Sequence, residues 1–185
     1  MNKFLCFISS FFLLLSISFN SLSDNQLDNF NSKFAKNKSD PKVRSAKAMV
    51  VNQNNGKVIY QKNAYSESSI ASLTKLMTAM VVLDSKIDLK KKIKITKQDI
   101  DRLKGTGSRI PIGTLVTGYD LLKISLMSSD NRAASALSRA YPSGKKGFIK
   151  AMNIKALKLG MHNSKFADPT GLNKRNKSTA RDLVR

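Results

Sequence analysis

The chain has 185 residues, enough for one domain, and 33 Lys plus Arg against 12 Asp plus Glu give a formal charge of +21. A single cysteine, Cys6, excludes an internal disulfide framework and cysteine-ligated metal sites. A balance this basic attracts polyanions, yet the lysines are scattered, with no finger spacing or aromatic platform, so nucleic-acid binding is not expected. Anionic lipid head groups or wall polymers fit the charge better.

Residues 1 to 23 have the form of a secretory signal. Lys3 supplies the positive start, Phe4 to Ile17 is an apolar run broken by serines, and Ser21 and Ser23 suit a cut after Ser23. The alternative is an uncleaved anchor, although the run is short of the ~20 apolar residues of a full span. Either way the chain is expected outside the cytoplasm. Residues 24 to 42, rich in Asn, Ser, Lys and Asp, are expected to be a flexible linker. Residues 43 to 185 are expected to be the folded part, the N-terminal portion of a single domain.

That part opens with a hairpin. Ala46 to Val51 and Lys57 to Gln61 are strands around the turn signal Asn54-Asn55-Gly56. The stretch Ile70 to Asp84 follows. Its apolar residues recur at three and four over most of the circumference, which predicts a helix buried mid-domain. Ser72 falls in the expected first turn, where serine is a favoured cap. Lys75 lies three residues on, on the same face. A serine hydroxyl needs a base before it attacks. A lysine serves only if its amine is neutral, and burial together with the positive end of a helix dipole favours that form. Ser-x-x-Lys alone is also an ordinary cap followed by an exposed lysine.

Lys90 to Thr96 is expected to be an edge strand with its lysines outward. Residues 97 to 116, with Gly105, Gly107, Pro111 and Gly113, are expected to be loop. Thr117 to Asp120 has the spacing of a capping box, and the helix it starts runs to about Ser128. Ser129-Asp130-Asn131 interrupts it as a turn. Further helices are predicted over Arg132 to Ala140 and Lys146 to Leu159, the second stopped by Gly160. His162, the only histidine, suits a surface or capping role. Asp168 to Gly171 has the composition of a turn, and Ser178 is expected to cap a last helix.

Ser72-Leu73-Thr74-Lys75 followed by Ser129-Asp130-Asn131 is far more specific than either alone. With Leu-Gly-Met-His-Asn-Ser-Lys-Phe, Asp-Pro-Thr-Gly-Leu and Ser-Thr-Ala-Arg-Asp-Leu, residues 44 to 185 resemble the low-molecular-mass penicillin-binding proteins, the D-alanyl-D-alanine peptidases. Within them the text is most similar to the endopeptidase branch, the penicillin-binding protein 7 type. The resemblance implies an α+β, β-lactamase/transpeptidase-like fold: an antiparallel sheet and a helical subdomain around a buried central helix. It implies a periplasmic serine peptidase that cuts D-alanyl cross-links of peptidoglycan through an acyl-enzyme, needs no metal or cofactor, and is acylated by β-lactams.

It also implies roles. Ser72 is the nucleophile and its N–H an oxyanion donor, Lys75 the general base, Ser129 a proton relay to the leaving amine, and Asn131 a partner of the substrate's backbone. One departure stands out. The family's third motif, Lys-Thr-Gly on a strand after Ser-x-Asn, is absent; Lys104-Gly105-Thr106-Gly107 has an extra residue, comes too early, and is expected to be loop. The C-terminal strands are therefore expected to be missing. The alternative to a peptidase is a shortened, inactive remnant that at most binds anionic wall or membrane polymers.

Overall fold

The computed structural model describes residues 41 to 185. The expected leader, residues 1 to 23, and all but the last two residues of the expected linker lie outside the described residues.

Ser45–Arg185 form one compact unit. Strand β1 (Ala48–Val51) turns at Asn54-Asn55-Gly56 into antiparallel β2 (Val58–Lys62), paired from Ala48 with Lys62 to Val51 with Val58. The hairpin is where the turn signal puts it, with a register irregularity between Val50 and Val51. Two residues of strand, β3 (Ser68–Ser69), lead to a single 3-10 turn, Ala71–Leu73, and then to helix α1 (Thr74–Asp84).

Strand β4 (Lys92–Lys94) has exposed lysines flanking a half-buried Ile93, as alternation requires. Its partner is β5 (Leu115–Thr117), antiparallel, where loop was expected up to residue 116 and a helix start at Thr117. Three residues bounded by Gly113 and a helix start are too few for alternation to register. Thr117 caps α2 (Gly118–Met127) by accepting from the Asp120 N–H at 3.1 Å, as the spacing predicts. Helix α3 (Asn131–Arg139) begins one residue before the expected start, because Asp130 is its cap and accepts from Ala133 N–H at 2.9 Å. Helix α4 (Gly144–Lys158) follows. Strand β6 (Lys177–Ser178) pairs back onto β3, and α5 (Ala180–Leu183) is the last helix. Its cap is Thr179, which accepts from Asp182 N–H, rather than Ser178, whose hydroxyl meets Ser164 Oγ at 2.7 Å.

The described strands form three separate two-stranded ladders. The helices carry the core. α1 packs against α2, α3 and α4, and α3 against α2 and α4. Ala133 and Ala136 are fully buried, and their small side chains let α3 lie close to its neighbours. Met77, Val81, Val82, Leu121, Leu137, Phe148 and Met152 fill the centre. The ring of Phe148 meets Tyr141 edge to face, with centroids 5.4 Å apart. Deleting the buried Phe148 ring in Phe148→Ala is expected to cost about 3–5 kcal/mol. Thermal unfolding should then begin roughly 6–20 °C lower. An unchanged melt would mean that this ring does not hold the helices together.

Helix α1 is central, as expected, but it is not covered all round. Its packed side carries Lys75, Met77, Thr78, Val81 and Val82, whereas Leu73 in the turn before it and Leu76 and Leu83 along it are exposed among the described residues. Its described helical neighbours lie to one side, so an apolar circumference does not become a buried one.

Candidate active site

The site starts at the junction of the 3-10 turn and α1. Ser72 sits within the turn, and Leu73 is the helix cap, without a side-chain hydrogen bond. Ser72 is therefore not the side-chain cap expected of it, and its hydroxyl is left to Lys75. Lys75 is the second residue of α1 and is 2% exposed. Its Nζ donates to Ser72 Oγ at 3.1 Å, to Ser129 Oγ at 3.3 Å and to the Thr170 carbonyl at 2.9 Å. An ammonium has three donors, and all three are committed.

Burial lowers the Lys75 pKa from its ordinary value, against the opposing fields of Asp168 and Asp130. Desolvation wins, because taking a charge out of water is costly even beside carboxylates that do not pair with it. The neutral amine is then within reach below the usual lysine range. It has a lone pair to offer the Ser72 hydroxyl.

Two positions flanking this pair hold unusual backbone. Ala71 has φ +44° and Ser129 φ +53°. A non-glycine residue in the left-handed region costs on the order of 1–3 kcal/mol and persists only where its surroundings impose it. At Ser129 the kink between α2 and α3 aims the hydroxyl at Lys75. At Ala71 the imposing element is the loop Asp168–Leu172.

That loop, expected to be a turn, is a buried brace. Asp168 Oδ1 accepts from Thr170 N–H at 2.8 Å and Gly171 N–H at 2.6 Å, and Oδ2 from Asn173 N–H at 2.7 Å. Asn176 accepts from the Ala167 N–H, and its Nδ2 donates to the Asp168 carbonyl and to Thr74 Oγ1 at 2.9 Å. Thr78 donates to the Pro169 carbonyl at 2.7 Å. The loop is thus tied to α1 at Thr74, Lys75 and Thr78. Gly171, at φ +87°, lies so close behind the Ala71–Ser72 peptide that a Cβ there would meet the Ala71 carbonyl oxygen at 1.9 Å. Sequence reasoning missed this role. The only signal was the glycine in Asp-Pro-Thr-Gly-Leu, which fits a surface turn equally well.

Asn131, the first residue of α3, donates from Nδ2 to Thr106 Oγ1 at 2.9 Å. Its Oδ1 is buried and has no partner among the described residues. An unsatisfied buried acceptor costs about 1–3 kcal/mol. Ser72, Ser129, Asp130 and Asn131 line one cleft of about 1090 Å³ together with Thr106, Gly107 and Arg109. A second hollow of about 440 Å³ lies over Ser72, Lys75 and Ser129 and is walled by Ile70, Leu73, Leu76 and Leu126. All four residues expected in the site therefore converge. His162 lies apart from these hollows and is exposed. Lys104-Gly105-Thr106-Gly107 is loop, as expected, but its threonine reaches the cleft. Among the described residues no group of three or more His, Cys, Asp or Glu is placed to hold a metal ion.

The chain and its fold have known counterparts. The family described as D-alanyl-D-alanine carboxypeptidase matches residues 34–185. A D-alanyl-D-alanine endopeptidase of Pseudomonas aeruginosa is 49% identical over 143 residues, 77% of this chain and 46% of that protein. One from Escherichia coli is 48% identical over 147 residues, 80% of this chain and 47% of the relative. The chain spans about half the length of the curated relatives it matches. The crystal structure of the Streptomyces K15 DD-transpeptidase superposes with a TM-score of 0.73 at 34% identity, covering 79% of this chain and 60% of that one. The expected α+β, transpeptidase-like fold is borne out.

Proposed function

The chain belongs to the D-alanyl-D-alanine carboxypeptidase family, and from that premise we propose that it is a serine-type D-alanyl-D-alanine peptidase of peptidoglycan, endopeptidase in preference, working through an acyl-enzyme on Ser72. One observation carries the reading. The Lys75 amine lies within hydrogen-bond distance of both Ser72 Oγ and Ser129 Oγ. The endopeptidase preference rests on the names of the Pseudomonas and Escherichia relatives.

The chemistry follows from that contact. Neutral Lys75 takes the Ser72 proton as Oγ attacks the D-alanyl carbonyl carbon. The Ser72 N–H is one oxyanion donor; such donors are worth ~2.7–4 kcal/mol each. As the tetrahedral intermediate collapses, the C–N bond breaks. The proton on Lys75 passes through the Ser129 hydroxyl to the departing amine. An ester on Ser72 remains, and Lys75 is neutral again. Water then attacks the ester, giving up a proton to Lys75 that returns to Ser72 Oγ as the acid leaves. Asn131 holds the substrate's backbone across the cleft. A β-lactam enters the same path, because its strained amide is opened by Ser72 while the leaving amine stays tethered.

The leader-like residues 1 to 23 support action in the periplasm, and the charge of +21 supports attraction to anionic wall polymers or lipid head groups. Among the described residues no helix is long and apolar enough to cross a membrane.

The test is covalent labelling of the protein by a fluorescent penicillin, with Ser72→Ala as control. Labelling that vanishes in Ser72→Ala is the expected result. A folded, soluble chain that takes no label would overturn the peptidase reading and favour an inactive remnant.

A further inference from the structure

The loop that follows β4 has an organisation the catalytic roles above do not use. Asp101 accepts four hydrogen bonds from its own loop. Its Oδ1 takes the N–H groups of Leu103 at 2.8 Å and Lys104 at 3.1 Å. Its Oδ2 takes the N–H of Thr106 at 2.9 Å and the Thr106 hydroxyl at 2.7 Å. Gly105, at φ +65°, lets the chain fold back tightly enough for all four. Burial is the largest single influence and opposes ionisation, yet the bonds from Thr106, Lys104 and Leu103 together outweigh it and hold the Asp101 pKa down at about 2. At any working pH Asp101 is therefore an anion that only accepts.

This fixes the Thr106 hydroxyl. Its proton is committed to Asp101, so its oxygen faces outward as an acceptor. That acceptor takes Asn131 Nδ2 at 2.9 Å. The carboxamide of Asn131 is thereby set in one sense, amino group on Thr106 and Oδ1 turned the other way, where it has no partner among the described residues. A neutral carboxamide without that contact has two flipped orientations to choose from. Thr106 also lines the cleft that Ser72 and Ser129 line.

We propose that Thr106, pinned by Asp101, is a positioning residue: it sets the Asn131 carboxamide and, through it, the lie of the substrate's peptide backbone over Ser72. The inference rests on the peptidase reading above. It gives the loop 101 to 107 a role in catalysis although none of its side chains attacks or moves a proton.

The experiment is a double-mutant cycle on the full chain, read as the second-order rate of acylation by a fluorescent penicillin. Thr106→Val keeps the shape and removes the hydroxyl. It is expected to slow acylation about 10- to 100-fold, the scale of a misplaced substrate. Thr106→Ser restores the acceptor and should run within about threefold of wild type. Asn131→Ala should be slow, and adding Thr106→Val to it should cost little more, because the two act as one unit. Melting of each variant separates this from a general loss of structure. Asp101→Asn is the second probe, and it should slow acylation in the same direction as Thr106→Val. Wild-type rates in both Thr106→Val and Asp101→Asn, or a full additive loss with Asn131→Ala, overturn the proposal while leaving Ser72 acylation standing. A wild-type chain that takes no penicillin overturns the peptidase reading and this inference with it.

Discussion

Lys75→Met is expected to slow acylation of Ser72 by roughly 10²–10⁴-fold, the usual contribution of a positioned general base. Methionine fills the space of the lysine stem but cannot take the Ser72 proton. The variant should still fold. It loses a buried ammonium, whose desolvation opposes folding, and strands only the Thr170 carbonyl and two hydroxyls that can rotate. A melting temperature near or above wild type with acylation nearly gone would separate chemistry from structure. Acylation within tenfold of wild type would show that another group is the base.

The same residue sets a pH dependence. Burial lowers the Lys75 pKa, so the acylation rate should rise with pH to a plateau, with its inflection below the ordinary lysine value of ~10.4. Stability carries the same sign. The folded chain holds fewer protons at Lys75 than the unfolded chain between the lowered and the ordinary pKa, so stability from this group rises with pH across that window. The penalty is present in full below the folded pKa, is relieved progressively across the window and is gone only above the ordinary pKa. Lys75→Met should remove both the inflection and this part of the pH dependence of stability.

Gly171→Ala is expected to be nearly as damaging, for a purely geometric reason. The new Cβ would lie 1.9 Å from the Ala71 carbonyl oxygen, 2.3 Å from its carbon and 3.0 Å from Ser72 N. None of these is a flexible side-chain end. Either the loop Asp168–Leu172 retreats, carrying the Thr170 carbonyl off Lys75, or the Ala71–Ser72 peptide moves, carrying the nucleophile and its N–H. A displacement near 1 Å costs acylation about 100-fold. Holding alanine at φ +87° adds about 1–2 kcal/mol of backbone strain. The measurement is penicillin acylation beside a thermal melt. Acylation within about threefold of wild type would mean that the brace is soft and does not position Ser72.

These two substitutions divide the site by how it can be read. The Ser72–Lys75 contact was legible because it is local: three residues along a helix fix both side chains on one face, whatever the rest of the chain does. The hairpin at Asn54-Asn55-Gly56, the Thr117 cap and the stop at Gly160 were legible for the same reason. Even the local reading failed where two caps competed, since Thr179 rather than Ser178 starts the last helix. It failed also at β5, whose three residues are too short to show a period.

What the sequence by itself determined is the pairing of a serine with a lysine on one helical face, and the residue types available to complete a site. Tertiary structure alone decided what surrounds them. Ser129 reaches Lys75 across 54 positions and the Thr170 carbonyl does so across 95. Asn131 meets Thr106 across 25. The Thr170 contact is made by a backbone oxygen, which every residue possesses, so no side-chain pattern announces it. Gly171 behind Ser72 is likewise a statement about empty space, and only packing shows which glycine has none to spare. Short-range spacing carries bond geometry, whereas long-range contact depends on how helices and loops close on one another, and that is settled by the whole core at once.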